Sequence, residues 1–412
     1  MHKQTYSSEN LNRYFLPSDF IGIKKESHKI YKAFVIGMAI KIIDDRTPLI
    51  RKIVVKKKPA YTIDDEPYRL LIRMTCANLK SVSKAFLNQS RKRISKNILS
   101  FIEEGIPFKI YRLDIKSFFE SFSNEEIYEK ITEIKKLSPI SKDIIFQLIN
   151  EFKNQGGKGL PRGIGISSVI ADILMYNFDD HAKSRPNVFY YARYVDDIII
   201  ITRGSEEQSA FVSELSNKLP TGLAFNNKTK FYDIPRIDIK SPNIFDFDFL
   251  GYNFSWNAEK YKKQYNSKSY YRKINVNMTK NKVNTIKTRI IRSLIEYTQN
   301  HDELLLIDRI KFLTGNFRIF DKKTLVGRMS GIYYNHSLIK NDSKSIQSLD
   351  NFIRDILFSK NSRFSKKYSA IIPKKIKRKL LNFSFSNCLN SESFFHFHPI
   401  RIREIQRCWN HV

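Results

Sequence analysis

The chain has 412 residues, enough for two or three domains with a sizeable core. Apolar residues make up 42% of it and aromatic residues 13%, a composition that excludes a disordered chain. Lys and Arg number 72 against 41 Asp and Glu, a formal net charge of +31. Such an excess indicates a polyanionic partner, most simply a nucleic acid, with an acidic membrane surface as the alternative.

The cysteines and the first apolar segment bear on the compartment. Cys76, Cys388 and Cys408 are odd in number and widely spaced, so they predict no disulfide framework, as is typical of a reducing cytosol. The first residues lack the apolar core of a signal peptide, and the early apolar run Ala33–Ile40 is too short to cross a bilayer. We therefore expect a cytoplasmic protein with no membrane partner.

The first predicted elements are helices, a hairpin and a strand. Residues 1–50 have helical patterning. Alternation in Arg51–Val55 and Tyr68–Met74 predicts a hairpin with a basic face. Helical patterning over residues 76–105 precedes a predicted strand, Phe108–Ile115.

Further along, helices and short strands alternate. A helix is predicted from about Asn124, and a Gly-rich loop over Lys153–Gly165 leads into a helix over Ser167–Asp180. A further helix is predicted over about residues 205–219, and two short strands over Phe225–Tyr232 and Phe245–Phe254. After about residue 255 long helical patterns dominate, so we expect a domain boundary in the polar stretch near 255–275.

Two adjacent carboxylates, Asp196 and Asp197, lie in the apolar stretch YARYVDDIIII. Successive side chains of a strand point to opposite faces, so a regular strand would bury one carboxylate without a partner. A hairpin with strands Tyr190–Val195 and Ile198–Thr202 avoids this, because both carboxylates then lie at its tip. A divalent cation is one natural companion of such a tip, and a plain surface turn is the alternative.

Asp114, at the end of the strand predicted over Phe108–Ile115, supplies a third carboxylate. Three aspartates could hold two Mg²⁺ ions about 3.5–4 Å apart, the arrangement used for in-line phosphoryl transfer. Mg²⁺ prefers oxygen ligands, which explains carboxylates rather than His or Cys. An aromatic side chain at Phe118 or Phe119 could close off the sugar 2′ position of an incoming nucleotide. Core packing is the alternative, and we expect it for Phe118.

The segments DIKSFF, GLPRGIGISS, YVDD and FDFLGY, in this order and spacing, resemble the successive motifs of reverse transcriptases. The resemblance covers about residues 50–255. It is closest to bacterial enzymes of the retron and group II intron lineage and, among them, to abortive-infection and other phage-defence reverse transcriptases. Residues 313–318 and 331–335 resemble the helical C-terminal region of that group.

This resemblance implies an α+β fold of the right-hand polymerase type. Residues 1–107 would form N-terminal helices and fingers, and residues 108–255 a ferredoxin-like palm with part of the fingers. Residues 256–412 would form a helical thumb and C-terminal RNA-binding domain. The cofactors implied are two Mg²⁺ ions, for which Mn²⁺ can substitute.

The resemblance also implies roles for individual residues. Asp114, Asp196 and Asp197 would be the metal ligands, and Lys228 would protonate the pyrophosphate leaving group. The residues implied at the nucleotide are Ile115, Phe119 as sugar gate, Arg162, Gly163, and the finger cations Lys56, Lys58, Arg69 (the first choice) and Arg73. The residues implied at the primer end are Tyr194, Val195, Phe249, Leu250 and Gly251.

One residue departs from the pattern of the family. The loop Leu160–Gly163 reads Leu-Pro-Arg-Gly where the family usually has Leu-Pro-Gln-Gly. Arg162 could bind the triphosphate, read a base edge such as that of guanine, or pair with a nearby acid. The departure leaves the metal chemistry intact and makes restricted or weakly templated DNA synthesis an alternative to ordinary copying.

The function implied is RNA-directed DNA polymerisation by two-metal phosphoryl transfer, on a companion noncoding RNA in bacterial anti-phage defence. The partners would be RNA template, dNTPs and DNA product, with a second defence protein or a homo-oligomer also open. Alternatives are a template-independent or protein-primed nucleotidyl transferase making repetitive DNA, and an inactive nucleic-acid-binding scaffold. An intron maturase is disfavoured for want of an endonuclease motif. The spacing of Cys388, His396, His398, Cys408 and His411 matches no zinc site, so aromatic packing is expected there.

Overall fold

The computed structural model describes residues 4–45, 50–55, 58–83, 89–236, 245–256, 272–320, 327–359 and 363–409. The chain forms two compact units, each built from two segments. Unit 1 comprises Met1–Ser90 and Pro107–Pro235, and unit 2 comprises Arg91–Ile106 and Arg236–Val412. The division into three domains at residues 107 and 255 stays a prediction.

The secondary structure is mixed. The helices are α1 Ser8–Asn12, α2 His28–Asp45, α3 Glu66–Val82, α4 Arg91–Ile102, α5 Asn124–Glu133, α6 Pro139–Asn154, α7 Gly165–Leu174, α8 Tyr176–Ser184, α9 Gln208–Asn217, α10 Lys280–Asn300, α11 Glu303–Thr314, α12 Ile332–Asn335, α13 Lys344–Phe358, α14 Arg363–Lys367, α15 Lys374–Leu381, α16 Phe385–Asn390 and α17 Pro399–Arg407. The strands are β1 Ile50–Val55, β2 Lys58–Ile63, β3 Phe108–Asp114, β4 Val188–Tyr194, β5 Asp197–Thr202, β6 Lys230–Ile234, β7 Phe245–Phe249, β8 Tyr252–Trp256, β9 Asn275–Met278, β10 Asn316–Phe320, β11 Gly327–Gly331 and β12 Phe394–Phe395. Short 3₁₀ turns lie at Pro17–Phe20, Lys25–Ser27 and Ser369–Ile371.

A four-stranded antiparallel sheet in the order β4-β5-β3-β6 organises unit 1. Leu113, Ile198 and Ile200 are fully buried in one hydrophobic cluster with residues of α3, α6 and α7. The β-branched run of β5 suits this place because such side chains pack well on a pleated surface covered by helices. The sheet therefore gives unit 1 a rigid platform, and Asp114 of β3 lies opposite Asp197 of β5 at one end of it.

The hairpin predicted near the start of the chain has a different second strand. Residues of β1 pair with β2, for example Ile53 with Ala60, and not with Tyr68–Met74. That segment lies in α3, so the strand predicted there is wrong. Pro67 lies in the first turn of α3, where its missing N–H costs nothing. Leu71, Thr75 and Asn78 are buried on one side at helical spacing, which the apparent alternation concealed.

Other predicted elements differ mainly at their ends. The helix predicted over Ser167–Asp180 is interrupted at Met175 and becomes α7 and α8. The strand predicted over Phe225–Tyr232 begins only at Lys230, since residues 226–229 form a turn closed by a hydrogen bond from the Thr229 N–H to the Asn226 carbonyl, 3.0 Å. The segment Phe245–Phe254 contains a turn and forms the β7–β8 hairpin.

Unit 2 combines two small sheets with helices. Strands β7, β8 and β9 form one antiparallel sheet, and β10 pairs with β11 and β12 in the other. Ile290 and Leu294 of α10, Leu306 of α11 and Leu349 of α13 are buried in this unit. None of the described helices has the length and apolar character needed to cross a bilayer.

Candidate active site at the tip of the β4–β5 hairpin

The tip of the β4–β5 hairpin is a two-residue turn made by Val195 and Asp196. Tyr194 is the register partner of Asp197, so only those two residues lie between the strands. Val195 has a φ of 64°, in the left-handed region that β-branched residues rarely adopt. A turn with positive φ at its first central position usually has glycine there. The tip therefore keeps a strained backbone, a feature that often marks functional sites.

Two hydrogen bonds fix this tip. The N–H of Ile115, just after β3, donates to the Asp196 carbonyl at 3.3 Å. From the other side, the Arg193 guanidinium donates to the Val195 carbonyl at 3.3 Å. The backbone of the turn is thus held by both of its neighbours, β3 and β4, and cannot swing freely away from the end of β3.

The structure brings Asp114, Asp196 and Asp197 to the same end of the sheet. Asp114 and Asp197 are direct register partners on β3 and β5, so their side chains leave the same face. Asp196 precedes Asp197 in the turn. Asn226 holds Asp114 in place, because its side-chain amide donates to Asp114 Oδ2 at 2.8 Å and its N–H donates to the Asp114 carbonyl at 2.7 Å.

The three carboxylates repel one another in a partly buried place. Burial, followed by the charge of Asp196, raises the pKa of Asp197 to about 6. Burial, followed by the charge of Asp114, raises the pKa of Asp196, while Arg162 and Lys58 oppose that shift. Within the described residues, none of the three carboxylates forms an ion pair that would neutralise it.

No described residue neutralises these three carboxylates through an ion pair, and their oxygen atoms are the type of ligand that divalent cations prefer. Hard oxygen ligands suit Mg²⁺ or Mn²⁺, and a cation would relieve the repulsion that raises the pKa of Asp197. In the part of the chain that the structure describes, no three His, Cys, Asp or Glu side chains stand close enough to hold an ion as they are. Binding would therefore require rotation of the carboxylate side chains.

The loop Gly159–Gly163 connects this site to the β1–β2 hairpin. The Leu160 N–H donates to the Phe119 carbonyl, 2.7 Å, and the Tyr61 N–H of β2 donates to the Arg162 carbonyl, also 2.7 Å. Gly163 has a φ of 101°, and a Cβ added there would lie 2.7 Å from the Tyr61 carbonyl oxygen. Only glycine fits this approach without strain, so the loop is fastened to β2 as well as to the segment after β3.

Arg162, the residue that departs from the family pattern, has an acidic partner. Its guanidinium pairs with both carboxylate oxygens of Glu120, at 3.0 and 3.1 Å, and lies 5.8 Å from the ring centre of Phe119. Phe119 is half-buried, whereas Phe118 is 3% exposed and packs in the core as expected. Lys58, exposed at the start of β2, is the other described cation whose charge reaches Asp196.

Arg69 and Arg73 do not lie on a finger strand, and that part of the prediction is wrong. Both belong to α3, where Arg69 pairs with Glu66. Arg73 pairs with Asp19, one of its nitrogens lying 2.9 Å from a carboxylate oxygen, and Asp19 is almost fully buried. Each guanidinium therefore has a structural partner within unit 1, and no contact of either residue supports a role at the nucleotide. Lys56 lies outside the described residues.

The remaining predicted residues fall in two places. Tyr194 and Val195 are 42% and 39% exposed at the hairpin tip. Lys228 is exposed in the turn that begins at Asn226, the partner of Asp114. Phe249, Leu250 and Gly251 belong to unit 2: Phe249 is buried in β7, and Leu250 and Gly251 form the β7–β8 turn with φ values of 46° and 80°. Those last three are described within their own unit only.

Arg193 was missed at the sequence level although it supports the hairpin tip. Its side chain is 3% exposed and lies 2.7 Å from an Asp179 oxygen and 3.1 Å from an Asp172 oxygen. The sequence did contain a signal, because an arginine in an apolar strand needs buried carboxylates as partners. Helices α7 and α8 provide these carboxylates. Asn226 was missed as a partner of Asp114, since no local pattern links residues 112 positions apart.

Comparison with known proteins relates one part of the chain to a known family. Residues 55–254 match the family described as reverse transcriptase (RNA-dependent DNA polymerase). No curated protein is significantly similar to the chain. Among solved structures, the apo telomerase of Candida tropicalis, truncated from its C-terminal domain, shares 18% identity with a TM-score of 0.31, over 45% of this chain and 43% of that one. The chain thus spans less than half the length of that telomerase chain. Residues 55–254 are thus similar to a reverse transcriptase domain.

Proposed function

We propose that the chain synthesises DNA on an RNA template, with Asp114, Asp196 and Asp197 as the ligands of two Mg²⁺ ions. Bound ions of this kind would activate a primer 3′-hydroxyl and neutralise the charge that develops on the transferred phosphate. One observation supports the proposal above all. Asp114 and Asp197 are direct register partners beside Asp196, and no described residue neutralises them through an ion pair. Repulsion among the three carboxylates does not stabilise the fold, so a bound cation is the simplest reason for the chain to place them together.

The residues around the aspartates have supporting roles in this proposal. Asn226 would keep Asp114 facing the site, and the Ile115 N–H would hold the turn that carries Asp196. Lys58 and Arg162 would attract the negative triphosphate of an incoming dNTP, since both already act on Asp196 through their charge.

The nearby aromatic and basic side chains complete the proposed site. Phe119, half-buried beside Arg162, would close off the sugar 2′ position and favour deoxynucleotides. Lys228, exposed next to the partner of Asp114, would donate a proton to the pyrophosphate leaving group. Tyr194 and Val195, exposed at the tip, would contact the primer end. The resemblance of the motifs implies the same role for Phe249, Leu250 and Gly251 at the β7–β8 turn of unit 2.

The biological setting is proposed from the resemblance of the motifs alone. It consists of a bacterial cytoplasm, a companion noncoding RNA as template, and anti-phage defence, with a second defence protein or a homo-oligomer as further partners. The net charge of +31 supports a nucleic-acid partner in any of these settings.

A second candidate, weakly templated synthesis of repetitive DNA, depends on Arg162. Because Arg162 is paired through two hydrogen bonds with Glu120, it would have to give up that partner before reading a base edge. The ion pair thus favours ordinary templated copying. Sequencing the products of wild type and Arg162→Gln tests this: the same template-directed sequence from both supports copying. A product of wild type that ignores the template, corrected by Arg162→Gln, supports the second candidate.

Primer extension on a defined RNA template tests the main proposal. We expect Asp196→Asn to lower dNTP incorporation at least about a thousandfold, because the substitution removes a charged ligand from the reacting centre. Asp180→Asn is the matched control, since Asp180 is exposed and lies 3.9 Å from Lys183 on the surface of α8. The affinity for RNA of the Asp196→Asn chain should stay within about twofold of wild type.

The outcomes separate the alternatives. Incorporation by Asp196→Asn at the wild-type rate would overturn the assignment of the site. Absence of incorporation by the wild-type chain, with RNA binding intact, would favour the scaffold. Incorporation of a single dNTP without RNA would favour template-independent transfer.

A further inference from the structure

A basic cavity lies within unit 2, between α10, β10, β11 and the segment around α12. Its volume is about 390 Å³, and its lining includes Lys282, Arg289, His336 and Gln406 together with the stacked rings of Phe312 and Phe317. This volume falls at the lower end of the range for small-molecule sites, about 300–1,000 Å³. We call these residues and the space they enclose the α10 pocket.

The α10 pocket is lined by cationic and neutral groups. Its described lining residues include Lys282, Arg289 and His336 but no carboxylate. Two of its polar atoms are buried without a hydrogen-bond partner among the described residues: Nδ1 of His336, a residue only 8% exposed, and Nε of Arg289. Buried polar atoms are nearly always satisfied, so two unsatisfied nitrogens in a cavity lined by cations suit an anionic ligand.

The charges in and beside the pocket destabilise one another. Burial, followed by the charges of Lys282 and Arg91, lowers the pKa of His336 to about 3. Burial, followed by the charge of Arg91, lowers the pKa of Lys282 to about 8, and burial lowers the pKa of Arg289. An anion in the pocket would oppose each of these shifts by giving the cations a counter-charge.

We propose that the α10 pocket binds a phosphate group carried by a nucleotide or by a nucleic-acid strand, with Lys282, Arg289 and His336 as its donors. Phosphate is the anion best suited to three nitrogen donors in one cavity, because its several oxygens are strong hydrogen-bond acceptors. The pocket is larger than a phosphate group alone requires, so part of an attached nucleoside would fit against Phe317. The site is separate from the three aspartates, and only the nucleic-acid source of the phosphate rests on the proposed function.

The surroundings of Lys282 favour a strand as the source. Its side chain crosses the β7–β8 turn so closely that a Cβ added at Gly251 would lie 2.7 Å from Lys282 Cε. The ring of Tyr252 in the same hairpin lies 5.3 Å from the Arg91 guanidinium and 6.0 Å from the His336 ring. Lys282 thus contacts the hairpin turn and also lines the pocket, so a strand bound at the turn would lie within reach of Lys282.

Binding measurements on the full-length chain in EDTA test the proposal. The variant is Lys282→Gln combined with Arg289→Gln. The control is Lys280→Gln, an exposed residue at the start of the same helix that does not line the pocket. The probes are a fluorescein-labelled twelve-residue oligo(dT), inorganic phosphate and thymidine 5′-monophosphate.

We expect the double variant to bind oligo(dT) at least about tenfold more weakly, as for loss of charged hydrogen bonds. The slope of log K against log salt should fall by roughly 0.7, as for one phosphate contact on a single strand. The control should stay within about twofold of wild type. Lys282→Gln alone, at a half-buried position, provides the same comparison if the double variant melts at a lower temperature.

The three probes identify the source of the phosphate. Weaker oligo(dT) binding without competition by the small phosphates identifies a strand. Loss of thermal protection by phosphate or thymidine monophosphate, with oligo(dT) binding unchanged, identifies a free nucleotide. No change with any probe, or an equal change in Lys280→Gln, would overturn the proposal. Because EDTA removes divalent ions, the result is independent of polymerase activity, and an Asp196→Asn chain should bind all three probes like wild type.

Discussion

Arg193 donates a hydrogen bond to the carbonyl oxygen of Val195, two residues ahead of it, at 3.3 Å. The same guanidinium is buried between Asp179 of α8 and Asp172 of α7. One side chain therefore links two helices of unit 1 to the strained turn that carries Asp196. Because breaking a buried ion pair leaves a carboxylate without its partner, the position is sensitive to substitution.

Arg193→Lys tests whether this link positions the turn. Lysine keeps the positive charge, but it lacks the planar guanidinium group that contacts two carboxylates and a carbonyl oxygen at the same time. We expect a loss of about 1–3 kcal/mol in the free energy of unfolding. Turnover in primer extension should fall about tenfold with nucleic-acid affinity within about twofold of wild type, since the turn carries Asp196. Arg185→Lys, which changes a more exposed arginine paired with Glu214, is the control. Equal losses of turnover and affinity in Arg193→Lys would indicate a purely structural role.

Gly163 and Gly165 allow a matched comparison of two Gly→Ala substitutions, one in the loop that contacts β2 and one just after it. Gly163→Ala would place a Cβ 2.7 Å from the Tyr61 carbonyl at a φ of 101°, so we expect a loss of about 1–3 kcal/mol. Gly165 begins α7 with nothing within 4 Å of an added Cβ, so Gly165→Ala should gain up to about 1 kcal/mol. Urea denaturation measures both. Similar midpoints for the two variants would show that the loop is not fastened to β2 as described.

His336 predicts a specific loss of stability in acid. Burial, with the charges of Lys282 and Arg91, lowers its pKa from 6.5 to about 3. Between those values the unfolded chain binds more protons, so the free energy of unfolding falls as the pH drops below about 6.5. From pH 6.5 to pH 5, wild type should lose about 2 kcal/mol more than His336→Gln. Urea titrations at both pH values measure this difference, and parallel losses in the two proteins would contradict it.

The sequence was sufficient to predict the strands that carry the three aspartates and insufficient to predict the residues that support them. The run of β-branched residues in β5 and the paired carboxylates in the turn are local features, so the hairpin and the convergence of Asp114 with Asp197 could be predicted. The supports depend on distant pairings. Arg73 was placed on a strand because its segment alternates, yet α3 forms there and Asp19, 54 residues earlier, pairs with it.

Local conformation also limited the prediction. The left-handed φ values at Val195 and Leu250 occur at residue types that normally avoid them, so the residue types at these two positions do not predict that conformation. The partner of Arg162 could be named only as an unspecified acid, because Glu120 lies 42 residues away in the chain. Local sequence patterns thus predicted which carboxylates lie together, whereas tertiary packing determines which side chains hold them in place.

Counting bound Mn²⁺ by electron paramagnetic resonance, with primer-template and a non-hydrolysable dNTP analogue present, tests the metal site most directly. Wild type should bind two Mn²⁺ per chain at the site, and Asp180→Asn should bind the same number. Asp114→Asn should bind one or none, because it removes the carboxylate that lies opposite Asp197. Two ions bound by Asp114→Asn with unchanged affinity would contradict the assignment of the three aspartates as the metal ligands.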